Sequence, residues 1–264
     1  MNQSDSDTRN PGRLQVANAA QSTVSRPVSP IAGFRRFLDK YFYFVMSLLM
    51  AAIVVNGFGR TVDRVMLRPA VPPPAILWVH AAVFSGWVLF FIFQSALVRT
   101  RNVKWHRFFG WFGAGLGALM IPLGVATAIV MERFEVHRLH KNGAYAFLIS
   151  PLVDMVCFTA LFVPAIAWRK KPELHRRLLF IATCVLLSAA FGRFPYLGTH
   201  RGLPLASVDV LILLGVVRDL VVNRRVHGVY LIALPVLVVC QLFVVHTVSA
   251  APPWWLRIAH AMLG

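Results

Sequence analysis

The pattern of apolar and polar positions divides this chain into long apolar blocks joined by short connections that carry charge, Pro and Gly. The clearest pair of blocks runs from Ala75 to Gly124: AILWVHAAVFSGWVLFFIFQSALV, then RTRNVKWHR, then FFGWFGAGLGALMIPLG. Each block is long enough to cross a bilayer, and the loop between them is basic. The stretch therefore predicts a transmembrane helical hairpin that turns on the positively charged side. In the first block His80, Trp87 and Gln94 recur at intervals of seven, so they share nearly one helical face. In the second block Gly110, Gly117 and Gly124 recur at the same interval, and Gly113 with Gly117 forms a GxxxG. Such a face lets another helix approach closely.

The same reading along the chain predicts seven spanning helices, near 41–59, 75–98, 108–131, 144–168, 178–197, 204–222 and 228–250. The fold class is all-α, a polytopic membrane bundle of about seven transmembrane helices. Residues 1–33 are polar and rich in Ser, Asn, Gln and Pro, so they predict a disordered cytoplasmic tail without a secretory h-region. The transmembrane domain then covers 34–251. The segment 252–264, with Trp254, Trp255 and a short amphipathic stretch, predicts an interfacial helix. Pro122, Pro164 and Pro235 fall inside predicted spans and are candidate helix interruptions.

Composition agrees with this pattern. Hydrophobic residues make up 58% of the chain and charged ones 14%, well below the quarter or so of a soluble domain. A net charge of +17 raises nucleic acid as a partner. The charges sit in short loops between apolar blocks, so a lipid bilayer with anionic headgroups at the inner loops is the simpler cause, and no nucleic acid is expected. Eighteen Lys and Arg fall in the tail, in the 99–107 and 169–177 loops and around 218–225, and nine fall on the other side. The excess predicts a bacterial inner-membrane protein with its N-terminus cytoplasmic and its C-terminus periplasmic. Cys157, Cys184 and Cys240 lie in three different apolar blocks and read as packing thiols.

Each of the three inner loops ends in a His where the next helix begins: KWHRFFGW, ELHRRLLF and RVHGVYLI. The combination of HAAVFSGWVLFFIFQSALV, WHRFFG, KPELHRRLLFIAT followed by Arg193, and RRVHGVYL resembles a family of uncharacterised bacterial integral membrane proteins over about residues 37–260. The first motif of that family reads H-x-H-G; here Trp78 and Ala81 replace its first His and its Gly. The resemblance implies a multi-pass inner-membrane protein and supplies no activity.

Ionisable residues at membrane depth are costly and mark candidate sites. His80 and Asp209 each lie roughly 8 Å inside the outer end of a predicted helix, at about 1.5 Å per residue. Arg193 and His246 lie near the outer ends of theirs, and Asp154 lies near a midplane. These five predict an outward-facing polar pocket, with Arg193 paired to Asp209 or Asp154. The other reading of the same residues is an Arg–Asp pair that fixes helix packing. His80 and His246, if they face each other at matched depth, are candidate axial ligands of haem b.

At the inner interface, His106, Arg107, His175, Arg176 and His227 read either as a lipid-headgroup, quinone or second-haem site or as an anchoring belt of positive charge. His137 and His140, beside Glu132 and Glu135, have metal-ligand residue types but not the HExxH spacing. No nucleophile elbow, Walker loop or Rossmann fingerprint is present. Three function classes stay open: a redox membrane protein binding haem or quinone, a small-solute or proton-coupled transporter, and a structural or assembly factor.

Overall fold

The structure is a computed structural model and describes residues 30–141, 143–200 and 202–264. Among the described residues every regular element is helical. The long helices are α1 (Pro30–Gly59), α2 (Ile76–Arg99), α3 (Val103–Leu139), α5 (Ile149–Ala167), α6 (Pro172–Val185), α9 (Leu203–Asn223) and α10 (Gly228–Ala250). Short helices are α4 (Gly143–Phe147), α7 (Ser188–Phe191), α8 (Pro195–Thr199) and α11 (Pro253–Leu263), with a π-helical turn at Asp63–Leu67.

Six stretches of helix among the described residues are long and apolar enough to cross a membrane. This is an integral membrane protein. The predicted sixth span, 204–222, forms α9, a helix of spanning length that carries Asp209, Arg218 and Asp219. Its charges do not face lipid, because Arg218 and Asp219 are buried against neighbouring helices.

The bundle is built around α6. In the most apolar 18 residues of Pro172–Phe191, 61% are buried, against 6% in those of Ile76–Arg99 on the outside. Phe180, Ile181, Ala182 and Cys184 on α6 are fully enclosed and form the middle of the main core. Around them pack α5, α9 and α10, with α1 against α9 and α2 against α1 and α3.

Several boundaries differ from the sequence reading. The first helix begins at Pro30, so the last four residues assigned to the tail belong to it; residues 1–29 lie outside the described residues. The predicted helix 178–197 starts earlier, at Pro172, and ends at Val185. A break at Leu186 and Leu187 separates it from α7. No proline makes this break: Pro122, Pro164 and Pro235 each sit within an uninterrupted helix. Prolines are tolerated at membrane depth where neighbouring helices and local adjustment can satisfy the freed carbonyls.

The third helix is longer than predicted, at 37 residues. A bilayer needs about 20, so its C-terminal part runs past the membrane. There it meets α4 and α11 in a second small core around Leu148, Trp255, Ala259 and Leu263. The C-terminal helix is thus docked on protein along one face: Trp255 donates its ring N–H to Tyr145 O at 3.1 Å, and Arg133 Nε donates to Leu263 O at 2.9 Å. Trp254, beside it, stays exposed.

The glycine face of α3 is in use. A Cβ on Gly113, Gly117 or Gly124 would meet Phe90, Phe162 or Met155, respectively. The approaching group is a side chain in each case, while Gly110 meets nothing. Backbone meets backbone elsewhere, at Gly57, whose Cβ would lie 2.5 Å from Ala190 O.

Candidate functional site

The basic loops gather at one end of the bundle. Local sequence sets this up at the start of α6. Lys171 precedes the helix, Pro172 takes its first turn where no N–H is needed, and Glu173 sits on the positive end of the helix dipole. The next residues project about 100° apart around the axis, so each meets a different neighbour. His175 turns to His106 on α3, with ring centres 6.4 Å apart. Arg176 lies over the Tyr43 ring of α1 at 5.5 Å. Arg177 turns to α9 and meets Asp219.

Arg177 and Asp219 are both buried. Arg177 Nη1 also donates to Glu173 Oε2 at 2.6 Å, and Arg218 Nη1 donates to Asp219 Oδ1 at 2.9 Å. Arg218 Nη2 reaches Asp39 of α1, and Arg35 Nη2 donates to Val222 O at 2.8 Å. Three arginines, counting Arg176, face the three carboxylates Asp39, Glu173 and Asp219. The cluster is balanced in charge, and its centre, Arg177, Asp219 and Arg218, is buried while Asp39 and Glu173 are exposed. It ties α1, α6 and α9 together.

Beside it lies a polar group with spare capacity. His175 Nδ1 sits 2.8 Å from Ala165 O. His106 lies next to the Gln94 backbone, and its Nδ1 is buried without a hydrogen-bond partner. Both amide atoms of the Gln94 side chain are likewise buried and unpartnered. Gln94 belongs to the predicted His80–Trp87–Gln94 stripe, and all three members carry a buried polar atom without a partner. His227 caps α10: its Nδ1 accepts from Val229 N–H at 3.2 Å. Burial, and then the positive charge of Arg177, hold this imidazole below the usual histidine range. Arg107 is exposed.

At the other end, the structure separates the five residues expected to form one pocket. Asp154 on α5 accepts from Ser188 Oγ at 2.5 Å, beside the break between α6 and α7. It lines a cavity of about 10 Å³ with Cys157, Ser188, Cys240 and Gln241. Asp209 reaches the edge of that cavity by accepting from Gln241 Nε2 at 2.9 Å. Arg193 does not pair with either carboxylate. It donates to Thr61 Oγ1 at 3.3 Å and to Ala189 O, with its guanidinium 4.0 Å from the Phe58 ring centre. The break before α7 turns Arg193 toward α1, away from α9, because the chain there no longer follows the axis of α6.

His80 and His246 do not meet. The His80 ring stacks on Phe84 at 3.9 Å, whereas His246 is exposed on α10, which packs on α5, α6 and α9 rather than on α2. His137 Nε2 lies 3.1 Å from Leu263 O, a contact to the C-terminal helix. Among the described residues no three His, Cys, Asp or Glu side chains converge as a metal site.

Comparison of the chain with protein-family models, with curated proteins and with solved structures finds no match. The site therefore stands on its own geometry.

Sequence reasoning passed over the Arg177–Asp219–Arg218 network, Gln241 and Ser188. In sequence Arg218 counts with the basic residues of the following loop. The signal was there in LLGVVRDLVV, where apolar residues continue on both sides of the charged pair and carry it into the helix.

Proposed function

We propose that this membrane protein binds a lipid-soluble quinol, the dihydroxy form of a quinone, at the basic end of its bundle, in a redox role. The observation that carries the reading is the trio of Gln94, His106 and His175. The carbonyl at His175 Nδ1 holds a proton on that nitrogen, so Nε2 is left as an acceptor. His106 Nδ1 is unpartnered, and the Gln94 amide offers both a donor and an acceptor. Neutral imidazoles held in this way accept hydrogen bonds, and a quinol supplies two O–H donors. Buried polar groups left unpaired are costly, and a bound hydroxyl removes that cost. The surrounding arginines disfavour a bare metal cation at the same place. We also place the basic end at the cytoplasmic face of a bacterial inner membrane, on the distribution of Lys and Arg.

The test is titration of the purified protein in detergent with a short-chain quinol, followed by tryptophan fluorescence. Saturable binding is expected. Gln94→Leu and His106→Phe should each weaken it about tenfold, the worth of one hydrogen bond to a buried group. Undiminished binding in both variants, or none in the folded wild type, overturns the reading. A Soret band in the purified protein would point instead to haem.

The break at Leu186 and Leu187 beside Asp154 favours a second reading, a proton-coupled transporter, because interrupted helices mark binding sites in that class. Substrate uptake by proteoliposomes that collapses in Asp154→Asn would support it.

A further inference from the structure

We propose that Cys157 and Cys240 form a binding site for one soft monovalent cation, of the Cu(I) or Ag(I) kind, inside the membrane bundle. The two residues come from separate apolar blocks, α5 and α10, which pack side by side. Both line the same small cavity, whose other polar walls are Asp154, Ser188 and Gln241 and whose remaining walls are Val and Leu. Cys184 is fully enclosed in the core and does not reach this cavity.

Size, donors and charge select the occupant. A cavity of about 10 Å³ holds roughly one water-sized body, so it admits a single ion stripped of its hydration shell. Two sulfurs are soft donors that favour Cu(I) over hard ions such as Na⁺, Mg²⁺ or Ca²⁺. A d¹⁰ monovalent ion is content with two collinear sulfurs. Zinc is not, since it seeks four ligands, and no third His, Cys, Asp or Glu side chain converges with this pair among the described residues.

The charge also closes. As the cation binds, one S–H bond breaks and one sulfur–metal bond forms. The proton leaves for solvent, with the Asp154 carboxylate as the nearest basic group on the way. The second sulfur binds as a neutral thiol. One positive ion and one thiolate sum to zero, the condition for a charge at membrane depth. This inference is independent of the quinol reading: it uses none of the residues Gln94, His106 and His175.

The test uses the full chain, purified in detergent under reducing conditions and then freed of reductant under argon. Ag(I), a redox-inert stand-in for Cu(I), is added, unbound metal is removed on a desalting column, and retained silver is measured by mass spectrometry. Stoichiometric retention is expected, with acidification of a weakly buffered sample on binding. Cys157→Ser and Cys240→Ser should each lose it, and Cys184→Ala should keep it. Cys157→Ala and Cys240→Ala, which preserve apolar packing, serve where a serine variant fails to fold. Zn(II) should not be retained by any variant. Silver retention that survives in both folded single variants, or its absence from the reduced wild type, overturns the proposal.

Discussion

Arg177 and Asp219 meet as a closed fork: Nε donates to Oδ2 at 2.9 Å and Nη2 to Oδ1 at 2.7 Å, with both side chains buried. Two parallel bonds between planar groups fix direction as well as distance. The pair also positions Arg218, which shares Oδ1 and extends the network to Asp39 on α1.

Removing one member leaves a buried charge without its partner, which typically costs about 3–5 kcal/mol. Arg177→Leu and Asp219→Leu should each lower thermal stability in detergent sharply. The double variant should recover part of the loss, since two apolar side chains leave no orphaned charge from this pair. Additive losses in a double-mutant cycle would show that the two are not coupled.

Arg193 and Asp209 give the opposite expectation. Arg193 is held by Thr61, Ala189 and Phe58, and Asp209 by Gln241. They share no partner, so Arg193→Leu and Asp209→Leu should be additive within about 0.5 kcal/mol. A double variant more stable than the weaker single variant would restore the ion pair that helix depth alone predicts.

Gly57 is where α1 and α7 touch through backbone. A carbonyl oxygen cannot step aside as a ring can, so Gly57→Ala should cost about 1–3 kcal/mol through overpacking. Gly115, on the outward side of α3, meets nothing within 4 Å. Gly115→Ala should be neutral or stabilising by helix propensity, by up to about 1 kcal/mol. Equal melting shifts for the two variants would contradict the close approach at Gly57.

His227 makes stability depend on pH. Its folded pKa lies below the usual value, so the folded state disfavours the proton. The contribution is therefore present above the unfolded pKa of about 6.5 and is lost as pH falls below it. Protonation also removes the Nδ1 acceptor that caps α10. Wild-type protein should melt lower at pH 5.5 than at pH 7.5, and His227→Asn, which keeps a capping acceptor, should show a smaller difference. An unchanged difference would assign the pH dependence to other groups.

Alkaline phosphatase fused after residue 68 or 141 should be active, and after residue 102, 171 or 225 inactive. The reverse pattern would place the basic end outside.

The apolar blocks by themselves determined an all-helical membrane bundle and nearly every span, because hydrocarbon leaves no alternative to helix for a single apolar segment. Periodicity also marked the glycine face of α3 and the polar stripe of α2, since both are properties of one helix seen alone. Which polar groups meet was decided by tertiary structure. Depth along a helix is readable from residue count, but the direction a side chain faces around the bundle depends on where the neighbours pack. Asp154 therefore lines a cavity that Asp209 reaches only through Gln241, while His246 turns outward and Arg193 is carried toward α1 by a break that no proline announces. The same reason hid the Arg177–Asp219 fork. Forty-two residues separate its members, each lies within two turns of a helix end next to a basic loop, and only the packing of α6 against α9 buries them together.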